Sequence, residues 1–193
     1  MRQYFYDIFC ILPFLVCLFW CIILGTDSKR RRRSGRNLWQ FSLACTILYF
    51  CHSLNFSSLV VNVPAWSQCL YITCNLAVYP LFYIYICSLT RLKGPSKLLP
   101  ITLAPALLTG IISGVSVALG GGLSGIKSVA SVIFALEVIL AVLFGMIDII
   151  RYRRTVANFY ADTKERSLPM LMTLLTLFSV TALVSIVANF VGK

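Results

Sequence analysis

Long apolar runs alternate with short basic links along this chain, and that alternation leaves it few folds to choose from. Six stretches, about 4–25, 38–60, 66–89, 99–119, 128–150 and 169–191, approach the twenty or so apolar residues that a helix needs to cross a bilayer. Three of the links between them hold all but three of the 17 basic residues. A water-soluble fold of 193 residues still exposes a large share of its surface. With 59% hydrophobic and 12% charged residues, against roughly a quarter charged in soluble domains, this chain has too little polar surface to cover itself. The predicted fold class is therefore all-α, a polytopic transmembrane helix bundle forming one domain over 1–193.

The charge pattern sets an orientation. Lys29, Arg30, Arg31, Arg32, Arg33 and Arg36 lie in the first link, Arg91, Lys93 and Lys97 in the third, and Arg151, Arg153, Arg154, Lys164 and Arg166 in the fifth. Basic loops stay cytoplasmic, which predicts both termini outside. Arg2, Lys127 and Lys193 then fall on the outer side. The net charge of +11 suggests nucleic acid at first sight, but its confinement to links argues for topology. Arg30 to Arg33 also suit anionic lipid headgroups, at about 1 kcal/mol per charge. The first run is read as a retained helix and not a signal peptide, because its basic cluster follows the apolar run and no small-residue cleavage site is visible. Trp39 and Trp66 fall at span ends, where indole favours the interface.

Several motifs invite a chemical reading that their surroundings oppose. Gly120, Gly122 and Gly125 match G-x-G-x-x-G but lie between two membrane helices, without the strand that a dinucleotide site requires. Asn55-Phe56-Ser57 matches a glycosylation sequon but falls within a predicted span. The eight cysteines have no C-x-x-C spacing and read as small buried hydrophobes, Cys69 and Cys74 being the one pair suited to a disulfide. Pro13, Pro80 and Pro105 interrupt the hydrogen bonding of three spans, and Gly110 and Gly114 form a G-x-x-x-G packing step. No hydrolase or metalloprotease motif is present and histidine occurs once. A non-enzymatic protein without metal or cofactor is expected.

Polar groups inside the spans carry most of the functional information. A charge at mid-bilayer costs roughly 3 kcal/mol on insertion scales, so such groups turn inward. At 1.5 Å per residue, His52, Asn75 and Glu137 fall roughly 12–14 Å below the outer surface, with Asn55 one turn from His52. The functional reading of these four residues is a ligand pocket open to the outside, anchored by Glu137. The bland reading, which is preferred, is interhelical hydrogen bonding, with Glu137 neutral or paired to His52. Tyr71, Tyr79, Tyr83 and Tyr85 crowd the third span as pocket lining or packing. Asp7 is expected to be wetted and Asp148 to pair with Arg151 and Arg154 at the interface.

The segment Tyr152-Arg153-Arg154-Thr155-Val156-Ala157-Asn158-Phe159-Tyr160-Ala161-Asp162-Thr163 leads through Lys164-Glu165-Arg166-Ser167-Leu168 into a last span closing on Asn189-Phe190-Val191-Gly192-Lys193. Together with the layout of spans and basic links, this resembles the membrane-embedded N-terminal region of bacterial AraC-type transcriptional regulators. The likeness is specific only around Val156 to Thr163 and at the end of the last span. It implies a sensor domain in a bacterial inner membrane, and it identifies no ligand residues. In that family a further helix and a helix-turn-helix domain would follow, whereas this sequence ends at Lys193. The expectation is a truncated, split or stand-alone sensor that does not itself bind nucleic acid. Its expected partners are the lipid bilayer and, through 151–168, a second copy or a signalling protein. The alternative is a small transporter built on the polar layer around Glu137.

Overall fold

The computed structural model describes residues 2–26, 33–57, 60, 62–90 and 98–159, with scattered helical residues between 172 and 183. Five helices run through the described residues: α1 Arg2–Thr26, α2 Arg33–Phe56, α3 Ala65–Thr90, α4 Leu98–Ala118 and α5 Ser124–Phe159. No strand occurs among the described residues. The chain is an all-α bundle. Three helical segments, Ala65–Thr90, Ile101–Ala118 and Ser124–Thr155, are long and apolar enough to cross a membrane, and Cys10–Thr26 is a shorter apolar helix. Most of the predicted sixth span and the whole Arg30-Arg31-Arg32 run lie outside the described residues, as does the side chain of Arg33.

Helix α3 is the axis of the assembly, packing against α2, α4 and α5, while α4 and α5 scarcely touch each other. Its side chains Leu76, Tyr79, Phe82, Ile86 and Cys87 are buried. Helix α5 meets it through Ala130, Phe134, Val138 and Ala141, recurring at the three- and four-residue intervals of one helical face. Near the other end Ile86 and Ile149 pack with Leu175, which belongs to the sixth apolar run. The outward faces of α4 and α5 are apolar as well, with Ile101, Leu107, Ile111, Val129, Leu136 and Ile139 exposed. Soluble monomers rarely present apolar surface on this scale, whereas lipid accepts it.

Glycines set the approach of α4. A Cβ at Gly110 would stand 2.6 Å from Oγ1 of Thr73 on α3, so the absence of a side chain lets the two backbones close up. Gly114 faces open space, so half of the G-x-x-x-G step does the packing inside the bundle. One glycine of the apparent dinucleotide motif, Gly120, ends α4, while Gly125 lies in the first turn of α5. Gly120 has φ +73°, its N–H bonds to the Val117 carbonyl at 3.0 Å, and the Gly121 N–H bonds to the Ser116 carbonyl at 2.7 Å. This pair of bonds is a Schellman cap, whose left-handed residue favours glycine.

Four expectations from the sequence need correction. Helix α2 stops at Phe56 and not near 60, and the polar side chains at its end turn to other helices, Asn55 to Ser67 on α3 and Ser57 to Asp7 on α1. Helix α5 runs on to Phe159, since nothing between Gly145 and Phe159 is a glycine or proline. Asp7 is not wetted: it is 7% exposed and accepts a hydrogen bond from Ser57 Oγ at 3.1 Å. Asp148 turns away from the exposed Arg151 and Arg154 and into the bundle. There it is 7% exposed and accepts bonds from the Tyr83 hydroxyl at 3.3 Å and the Cys87 thiol at 3.5 Å. All eight cysteines are free thiols. Cys69 and Cys74 are five residues apart on one helix, roughly 140° around its axis, and so point in different directions.

Candidate functional site

Three helix ends meet at one end of the bundle. Helix α2 finishes there, while α3 and α5 begin there and run side by side away from it. Helix α3 starts directly after Pro64, a residue suited to helix starts because it has no N–H to leave unpaired, and the Ser67 N–H bonds back to the Pro64 carbonyl at 3.0 Å. Helix α5 starts four residues after the glycine cap of α4. Short connections at this end thus bring the first turns of α3 and α5 beside the last turn of α2.

Between them lies a cleft of about 310 Å³. Its polar lining comes from Asn55 on α2, from Gln68, Tyr71 and Asn75 on α3, and from Lys127 and Ser131 on α5. Apolar Phe56, Val63, Ile72, Leu76, Ala130 and Phe134 complete the walls. Lys127 Nζ donates to Gln68 Oε1 at 3.0 Å, joining α5 to α3 across the mouth. Asn55 Oδ1 accepts from Ser67 Oγ at 3.2 Å, joining α2 to α3. That bond places Asn55 at the end of α2, above the depth its position in a longer span would give.

Phe134 forms part of the inner wall, and the ring of Tyr79 meets it edge-on with centroids 5.4 Å apart. Glu137 follows one turn deeper, roughly 4.5 Å along the α5 axis. Both of its carboxyl oxygens are buried, and neither has a hydrogen-bond partner among the described residues. Buried polar groups are normally satisfied, so this carboxyl is an exception that calls for an explanation.

The four residues singled out in the sequence are therefore only partly brought together. Asn55 and Asn75 line the cleft. His52 is absent from the lining and stands behind the wall, its ring 4.7 Å from Phe56 and 6.0 Å from Tyr71, both of which line it. Glu137 lies beneath the floor, and the pairing with His52 is not formed, because α2 and α5 approach little and the carboxyl has no partner among the described residues. A search of protein-family models, of curated proteins and of solved structures finds no significant match to this chain.

Lys127, Gln68 and Ser131 were not singled out in the sequence. The signal was there: Lys127, Ser131 and Phe134 recur at helical spacing, as do Gln68, Ile72 and Asn75, giving each helix one face of mixed polarity that begins with a polar residue. Of the tyrosines, Tyr71 lines the cleft, Tyr79 underlies it, and Tyr83 binds Asp148. Among the described residues no group of three or more histidine, cysteine or acidic side chains is placed to hold a metal ion.

Proposed function

We propose that this chain is a six-span sensor domain of a bacterial inner membrane, with both termini outside, which binds a small ligand in the cleft and signals through its inner basic segment. One observation carries the reading. Helix α5 lines the cleft with Lys127, Ser131 and Phe134 and continues without a break to Arg151, Arg153, Arg154 and Phe159. At 1.5 Å per residue this helix is a rod of roughly 54 Å, long enough to join the two membrane faces. A shift of its first turns on ligand binding would move its basic end with it. Such a shift requires the ligand to favour one of two helix arrangements.

The resemblance to membrane-embedded AraC-type regulators, in which an output domain follows such a bundle, agrees with this reading. The test uses the full chain in lipid nanodiscs. Trypsin cleavage at Arg151 to Arg154 is followed with and without compounds that raise its melting temperature. Sensing predicts that cleft ligands alter the cleavage rate several-fold, and ligands that bind without altering it would sink the proposal. The Glu137 carboxyl, without a hydrogen-bond partner among the described residues, favours a second reading, a small transporter with a protonatable step below the cleft. That reading predicts solute flux in proteoliposomes, lost in Glu137→Gln, whereas a sensor gives none.

A further inference from the structure

The charge balance of the cleft identifies the kind of ligand it suits. Its described lining contains one charged side chain, Lys127, and no acid. One ammonium proton is used on Gln68 Oε1, which leaves two donors of Lys127 and the amide NH₂ of Gln68 for a ligand. The backbone adds to this field. Lys127 and Gln68 both sit in the first turns of their helices, where each helix end carries about +0.5 of a charge, while the end of α2 carries about −0.5. The balance is positive before Lys127 is counted. Deeper in, the lining turns apolar at Ile72, Leu76 and Phe134. Lys127 and Phe134 are two turns apart, roughly 10 Å along α5. The volume of about 310 Å³ lies at the small end of the roughly 300–1,000 Å³ typical of small-molecule sites.

We infer that the cleft takes a small organic anion, its acidic head held by Lys127 and Gln68 and its apolar body lying against Tyr71 and Phe134. This rests on the reading of the cleft as a ligand site and adds to it the chemistry of the ligand. The anionic head belongs either to a free carboxylate or phosphate or to a lipid of the outer leaflet, since the cleft opens at the end of the bundle that the proposed topology places outside.

The full chain in phosphatidylcholine nanodiscs is titrated with phenylacetate, with phenylphosphonate and with neutral phenylacetamide, and thermal unfolding is recorded. The acids are expected to raise the melting temperature at concentrations at least tenfold below those needed for the amide. Lys127→Gln is expected to weaken the acids about tenfold and leave the amide unchanged, and Lys127→Arg is expected to retain acid binding. An amide as effective as the acids, acid binding that survives Lys127→Gln, or no acid effect in any lipid overturns the inference. Phosphatidylglycerol discs separate the sources. If this lipid itself stabilises the chain through Lys127 and displaces phenylacetate, anion recognition stands and the head is a lipid's. If it does neither while the acids bind, the ligand is a free anion. Anion binding that leaves trypsin cleavage at Arg151 to Arg154 unchanged keeps this inference and removes the sensor proposal. A neutral binder that changes cleavage, while no anion binds, does the reverse.

Discussion

Helix α5 carries two acidic side chains into the bundle, and they meet opposite fates. Asp148, at the basic end, is enclosed and receives hydrogen bonds from Tyr83 and Cys87 of α3. Glu137, three turns nearer the cleft, is enclosed with neither oxygen partnered among the described residues. A satisfied buried carboxyl ties two helices together. An unsatisfied one costs free energy that the fold does not recover there, since a buried polar group left unpaired costs about 1–3 kcal/mol. The contrast divides the α3–α5 seam into a half at the basic end of α5, here called inner, built for stability, and a half at the cleft end, here called outer, where polar groups surround a cleft. Sites that bind or switch are commonly drawn from the less stable parts of a structure.

The largest effect that would sharpen this division is expected at the inner end. Asp148→Ala removes the acceptor shared by the Tyr83 hydroxyl and the Cys87 thiol, and should cost about 3 kcal/mol, read by unfolding in mixed micelles of increasing denaturing detergent. A loss well below 1 kcal/mol would mean that the inner tie is decorative and the division false. Next in size is Gly110→Leu, which drives a side chain into Thr73 and should cost about 2 kcal/mol by the same measurement. Gly114→Leu, into open space, is its control and should cost little. If the two glycine variants behave alike, α4 is not seated on α3 at Gly110.

Glu137 predicts a change of the opposite sign. Glu137→Leu removes an enclosed carboxyl that has no hydrogen-bond partner among the described residues, and should stabilise the chain by about 1–2 kcal/mol in the micelle titration. Stabilisation that comes with loss of signalling or flux identifies a group kept for activity at the expense of stability, a known trade. If Glu137→Leu instead destabilises as strongly as Asp148→Ala, Glu137 is structural too and the two halves of the seam do not differ.

The helices could be read from the sequence because lipid solvation demands unbroken apolar runs, and 66–89 and 99–119 fall within a residue of α3 and α4. The ends misread were those where polarity and helicity part company. Arg151 to Arg154 look like a loop by charge, yet arginine propagates a helix well, so α5 runs on. The fates of Asp7 and Asp148 were not legible, because their donors Ser57, Tyr83 and Cys87 lie on other helices and a single sequence does not say which faces meet. Depth along each helix placed Asn55, Asn75, His52 and Glu137 in one layer, but α2 ends at Phe56, which leaves Asn55 nearer the mouth, and Glu137 lies a turn below the deepest lining residue of its helix. Only two reach the cleft, and the lysine that gives the cleft its charge sat in plain view as a lone outer basic residue.

Lys127→Gln should produce the smallest change in stability, and that smallness is what makes it informative. Lys127 is exposed, and its bond to Gln68 lies at the open mouth of the cleft. Exposed polar pairs contribute little to folding, and substitutions at such sites usually change stability by less than about 0.5 kcal/mol. Glutamine keeps an amide that can still meet Gln68 while removing the charge. Unfolding in the micelle titration should therefore match the unsubstituted chain. A loss approaching that of Asp148→Ala would show that the cross-mouth bond holds α5 on α3 in the same way as the inner tie does. The outer half of the seam would then be a second structural clamp, and the contrast between the two carboxyls would no longer separate a stabilising region from a binding one.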